Sequence, residues 1–460
     1  MKDALSSARK RTQAIPVEAH RAFSQETSSK LGYRLAIPAG VLCLYAIMAG
    51  LWLSGAHSPY FGALRLLGVE PFSFPFLDTH AVLAAAECGR QGIQVYLFNP
   101  CDALVRPHAY SPLWLAIAPG SLGTSATGWV GASLDLLFLF SLAVVLRPRT
   151  ARELLILGAA AVSPMTVYAL ERANNDLVIF LLVICGAMLF SFPRPYRLFS
   201  YGLFVAAGLL KYYPLALVVL AAREARRDGL VIAAAVILAL VFFAVAFYPE
   251  LSLAAASIPA AASYFTDAFS ARNLPFGFAE GLGKGLARPL IAGSLLAALS
   301  GVAVARMLRT VRLLGREQLN WAPREAQFLV IGGLLVAACF FAGQNIGYRG
   351  IFLLPVLSGL VCLHRSVEDR EVRRFCGQMI AAVVFIMWEE CFRRALHAAI
   401  SPVPSAGLSS RAEVFFWLGR ELVWWWLVAG LAALVLSFLR QSPFAEIFGR
   451  TAAGPARSPV

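Results

Sequence analysis

Charge is scarce in this sequence. Of its 460 residues only 14% are Asp, Glu, Lys or Arg, 59% are hydrophobic, and the mean hydropathy is +0.69. Soluble domains carry about a quarter charged residues, so a water-soluble globular fold is excluded. The eight cysteines are scattered without a CxxC pair and the six histidines are dispersed, which argues against a zinc site. HExxH and GxSxG do not occur, and Gly281-Leu-Gly-Lys284-Gly lacks the spacing and the Ser/Thr of a phosphate loop. There is no repeat of about 20–50 residues and no resemblance between the two halves.

What is present is a series of apolar runs, among them Val231–Phe247, Phe328–Phe341 and Phe415–Leu439. Runs of roughly 18–25 residues match a helix crossing about 30 Å of hydrocarbon and are too long for barrel strands. The expected fold is therefore all-α, a polytopic transmembrane helical protein. The net charge of +14 sits in short segments between the runs, which is the positive-inside pattern and not a nucleic-acid surface.

Counting by that rule, residues 1–33 are a disordered cytoplasmic tail without a cleavable signal, ahead of a first span at Leu35–Leu53. A long first external loop, 57–110, follows, then a broken apolar segment at Ser111–Gly120. Further spans fall near Trp129–Leu146, Leu154–Leu170, Leu177–Phe190, Val231–Phe247, Leu290–Met307, Phe328–Phe341, Ile351–Leu363, Met379–Trp388 and Phe415–Leu439. The total is about ten full spans, with a second external loop at 249–285 and a cytoplasmic tail at 441–460. The stretch Leu198–Ala222 has Arg194 and Arg197 before it, Arg223, Arg226 and Arg227 after it, and Lys211-Tyr-Tyr-Pro214 in its middle. A broken-helix hairpin with both ends cytoplasmic satisfies the charge rule and puts Lys211 at a cavity.

Several groups could carry chemistry. Asp78 follows an apolar Phe-Pro-Phe-Leu stretch, where desolvation would make it a better base, or it caps the helix that follows; both readings stay open. Glu171-Arg-Ala-Asn-Asn-Asp176 is either a turn for a phosphate or sugar hydroxyls or an ordinary polar turn. Lys211 meets an anion or reaches water, the break at Pro214 favouring a cavity over snorkelling. Arg349, beside Tyr348, binds a lipid phosphate or anchors at the interface. Arg420 and Glu421 read as an intramembrane ion pair holding helices together. Cys88 and Cys101 share the first external loop, as a disulfide or as two free thiols.

Three features together resemble the GT-C superfamily of membrane glycosyltransferases, and most closely family 87, the polyprenyl-phosphate-mannose-dependent mannosyltransferase type. They are Asp78 early in a long external loop; the run Gly92, Tyr96, Asn99, Pro100, Tyr110, Pro112 and Trp114; and the break Leu210–Pro214. Where such proteins usually have Gly-Gln-x-Asn, this chain has Arg172-Ala-Asn174-Asn175, which puts the role of that turn in doubt. The resemblance implies transfer of mannose or a similar sugar from a polyprenyl-phosphate donor to a lipid or glycan acceptor. Transfer would take place at the outer face of the inner (plasma) membrane. Asp78 would be the catalytic base of an inverting reaction. Lys211, with Arg172 or Arg349, would stabilise the leaving phosphate, and Asn174, Asn175, Tyr348 and Tyr110 would line the substrate site. No metal or cofactor is expected. The partners are membrane lipids and these substrates, without nucleic acid. The alternatives are a transporter or flippase for a lipid-linked or anionic substrate, and a non-catalytic subunit of an envelope-polysaccharide assembly system.

Overall fold

A backbone in hydrocarbon must satisfy its own amides, and for runs of Leu, Val, Ala and Phe the helix is the way to do so. The computed structural model describes residues 17–257, 264–265, 268–282, 285, 287–400 and 406–441, and they are helical almost throughout. Among the described residues seven helices are long and apolar enough to cross a membrane: Gly32–Leu53, Thr124–Val145, Arg226–Ala246, Ala287–Leu314, Arg324–Ala342, Gly347–Ser366 and Arg411–Arg440. Two bent pairs, Ala151–Ala161 with Pro164–Glu171 (44°) and Arg370–Met387 with Glu389–Ile400 (61°), raise the number to nine.

The difference from ten lies in Asp176–Phe190, which is apolar but only 15 residues long. It reaches about 22 Å, short of the hydrocarbon thickness. The first bend has a local cause: Pro164 cannot donate to the preceding turn, and Ser163 caps the new helix by accepting from the Thr166 N–H. At the amino end the helix runs from Val17 to Leu53, so residue 33 is not a helix boundary. Residues 1–16 and 442–460 lie outside the described residues, as does part of the expected second external loop.

Burial sorts the spans into two classes. The apolar windows of Arg324–Ala342, Gly347–Ser366 and Arg411–Arg440 are 67–89% buried, whereas those of Gly32–Leu53, Arg226–Ala246 and Ala287–Leu314 are 11–17% buried. The first group forms the protein core, and the second leaves Leu238, Phe242 and Val245 exposed, as lipid-facing helices do. At the core, Gly359 lies so close to its neighbour that a Cβ would fall 2.4 Å from the Glu325 carbonyl oxygen. A side chain there would force the two central helices apart.

The hairpin is present, and it reverses at Tyr212. The limb Arg194–Lys211 is α-helical, and the returning limb Tyr213–Arg223 is a 3₁₀ helix with Pro214 in its first turn, where a missing N–H costs little. Tyr201 Oη donates to the Leu220 carbonyl at 3.0 Å, and Arg197 Nε pairs with Glu224 at 2.6 Å. Arg194 Nε adds a bond to Asp228 at 2.7 Å. These bonds bring the two ends together and leave Lys211 at the apex.

One short antiparallel pairing, Ala268↔Ile346 and Phe269↔Asn345, ties the second loop to the turn that carries Arg349. Phe269 also stacks on Trp424 with ring centroids 4.3 Å apart.

Candidate functional site

The helix Leu77–Arg90 begins without a side-chain cap. Its free N–H groups dock instead on the turn after Pro164–Glu171. Phe76 N donates to the Glu171 carbonyl at 2.7 Å and Asp78 N to the Arg172 carbonyl at 3.2 Å. Thr79 Oγ1 adds a bond to the Ala173 carbonyl at 2.7 Å. Carbonyls of one loop thus replace the orphan-donor partners of another helix. The Asp78 carboxylate is left free to point elsewhere, so its capping role is set aside.

Asp78 is buried and gathers three partners. Asn174 Nδ2 donates to Oδ2 at 2.5 Å, while Arg172 Nη1 and Arg106 Nη1 lie 3.5 and 3.9 Å from Oδ1. Arg172 is itself sandwiched, its guanidinium 4.4 Å from the Phe72 ring and 4.7 Å from the Tyr168 ring. Arg106 is held by Asp102 through bonds of 2.9 and 3.0 Å. Burial pushes the Asp102 carboxyl up, but the bonds from the Arg106 side chain and backbone outweigh it and hold it below the usual carboxylate range.

Asn174 also faces the other way. Its Oδ1 accepts from Asp176 N at 2.8 Å and from Lys211 Nζ at 3.3 Å. Asp176 is 0% exposed and takes Tyr213 Oη at 2.6 Å, Lys211 Nζ at 2.8 Å and Arg349 Nε at 3.3 Å. Lys211 therefore has its anion inside the protein. Its ammonium lies 5.3 Å from the Tyr110 ring and 5.9 Å from the Tyr348 ring. Arg349 also bonds Asn345. Asn174 joins two ion clusters, one around Asp78 and one around Asp176.

The sequence motifs meet here as well. Trp114 Nε1 donates to the Leu210 carbonyl at 3.2 Å, so the Tyr110–Trp114 run lies against the hairpin apex. Cys88 and Cys101 are disulfide-bonded with Cα atoms 5.9 Å apart, which tethers the Asp102–Arg106 segment to the Asp78 helix. In the same loop His108 is buried, and burial drives its imidazole down to about 4.

Strain marks the same place. Among the described residues four non-glycine residues have positive φ: Phe76 (68°), Val105 (54°), Ala173 (38°) and Tyr212 (58°). Each lies within two residues of Asp78, Arg106, Asn174 or Lys211. Such conformations cost of order 1–3 kcal/mol each and persist where the surroundings over-determine them, typically at functional sites.

Of the residues expected from sequence, Asp78, Arg172, Asn174, Lys211, Arg349, Tyr348 and Tyr110 converge. Asn175 is buried beside them with Nδ2 unpartnered. Three members were given no role of their own from sequence: Asp176 at the end of the Glu171–Asp176 turn, Tyr213 in the Lys211–Pro214 break, and Arg106 in the first loop. The density of polar residues around the Tyr-Tyr-Pro break was the available signal. Arg420 and Glu421 form a separate buried ion pair at 2.5 Å, with Glu389 3.6 Å from Arg420. Among the described residues no three His, Cys, Asp or Glu side chains converge in a metal-binding arrangement. No protein-family model, curated protein or solved structure matches this chain.

Proposed function

We propose that the protein is a membrane glycosyltransferase that moves a sugar, mannose or a similar one, from a polyprenyl-phosphate donor to a lipid or glycan acceptor. The reaction runs at the external face of the inner membrane. The observation that carries this reading is the convergence of two buried aspartates and four cations from remote segments, with backbone strain beside Asp78, Arg106, Asn174 and Lys211. Asp78 takes the proton of the acceptor hydroxyl as its oxygen attacks the anomeric carbon. The bond from that carbon to the phosphate oxygen breaks, its electron pair stays on the phosphate, and the configuration inverts. Negative charge then grows on the leaving phosphate, where fixed cations stabilise it most.

The cations suited to that role are Arg106 and Arg349, whose side chains keep 36% and 22% exposure. Lys211, only 4% exposed and bonded to Asp176, acts as a positioning residue that holds Asn174 toward Asp78. A disulfide in the loop fits an oxidising compartment outside the cytoplasm.

The test is transfer by the purified chain with radiolabelled polyprenyl-phosphate sugars and a lipid extract, beside Asp78→Asn. Loss of a general base lowers rate by about 10²–10⁴-fold, and the variant is expected to show that loss while remaining folded. Full activity in Asp78→Asn removes Asp78 as base. No product with any donor, from folded protein, moves the weight to transport of a lipid-linked or anionic substrate.

A further inference from the structure

A cavity lies beside this site and has a different chemistry. It encloses about 490 Å³ between the first long helix, the segment His57–Phe76, the helix Thr127–Val145 and the bent pair that ends at Glu171. Its walls are apolar and aromatic, with Tyr45, Trp52, Tyr60 and Phe76 among them. Two carboxylates line it, Asp135 at 0% and Glu171 at 5% exposure. Neither oxygen of Asp135 has a hydrogen-bond partner, and Glu171 Oε2 has none. The Tyr45 hydroxyl is the polar group that interacts with Asp135, short of full hydrogen-bond geometry to either oxygen. No lysine, arginine or histidine is among the lining residues.

Each feature restricts the occupant. An unpartnered buried acceptor costs about 1–3 kcal/mol, so a ligand that brings N–H donors gains what the protein leaves unmade. Without a cation in the wall, nothing would compensate the charge of a phosphate or carboxylate head. Aromatic faces attract alkylammonium groups, and the apolar volume accepts an aliphatic body. Asp135 sits in the middle of a helix long enough to span the membrane, where an ionisable residue marks a functional site by default. The geometry points to a binding site for a membrane amphiphile that carries a primary amine on an aliphatic body, with the carboxyl groups of Asp135 and Glu171 as its hydrogen-bonding partners. The site stands independently of sugar transfer.

The test uses the full chain in detergent with nitroxide-labelled octadecylamine, its immobilised fraction read by electron spin resonance. Dodecylamine is expected to displace the probe at a concentration at least tenfold below that of dodecanol, while dodecanoate and ethanolamine leave it bound. Asp135→Asn is expected to weaken probe binding at least tenfold. Ala132→Trp, which fills the cavity from its wall, is expected to abolish it, with the unfolding midpoint followed in both. Equal displacement by dodecanol and dodecylamine would reduce the cavity to a chain-binding groove and overturn the proposal. So would displacement by ethanolamine, or unchanged binding in folded Asp135→Asn. Because the readout is binding without turnover, failure here leaves the transfer experiment untouched.

Discussion

Asp176 and Asp135 are the same residue type, both 0% exposed, one at the start of a short apolar helix and the other in the middle of a membrane-length one. Their surroundings are opposite. Asp176 receives a phenol, an ammonium and a guanidinium within 3.3 Å. Asp135 has no ion partner, only the nearby Tyr45 hydroxyl, and looks into an apolar cavity. A buried carboxylate is costly in either place, but at Asp176 the protein supplies the compensation, whereas at Asp135 it leaves a deficit that a ligand can fill. Burial alone therefore does not tell a structural ion cluster from a binding site; the account of partners does.

The comparison is most exposed to attack at Asp176. Asp176→Ala leaves the buried Lys211 and the half-buried Arg349 without their shared anion, and breaking such a buried pair costs about 3–5 kcal/mol. Unfolding midpoints in detergent measure it, and a loss under about 1 kcal/mol would mean that water already solvates the cluster. An intermediate case lies in the loop. His108 is buried with Nε2 unpartnered and titrates at about 4 against an ordinary 6.5. Between those values the unfolded chain binds a proton that the folded chain refuses. Stability is thus full above pH 6.5 and falls as pH drops toward 4, by up to about 3 kcal/mol. His108→Gln should flatten that part of the stability–pH curve, and an unchanged slope would assign the loss to other groups. The smallest effect belongs to Asp135. Replacing an orphan carboxylate by a shape-similar apolar group is near neutral or stabilising, so Asp135→Leu should move stability by no more than about 1 kcal/mol. A cost above about 2 kcal/mol would reveal an internal partner and remove the contrast with Asp176.

Part of this was legible in the chain itself. Apolar run length identifies the membrane-length helices, and the arginines on both sides of Leu198–Ala222 identify the hairpin, because charge placement is a local property. Asp78, Arg172, Lys211 and Arg349 stood out as charges next to apolar stretches. Among the described residues seven to nine helices are membrane-length against about ten expected, and the run that differs, Asp176–Phe190, is apolar but short. Length thresholds in sequence do not see a helix that ends early against a buried turn. Asp135 passed unnoticed inside Thr127–Val145, since one acid in an apolar run gives no sign of which way it faces.

Composition and hydropathy determined by themselves that this is a helical membrane protein. Transfer free energies act residue by residue, and so they are written in the order of residues. Only the tertiary structure decided that Asn174 links Asp78 to Lys211, that Asp176 pairs with both Lys211 and Arg349, and that Asp135 and Glu171 share a cavity. Those outcomes depend on which helix faces meet, and hydrogen bonding and ion pairing act over about 3–4 Å between segments that the sequence holds tens to hundreds of residues apart.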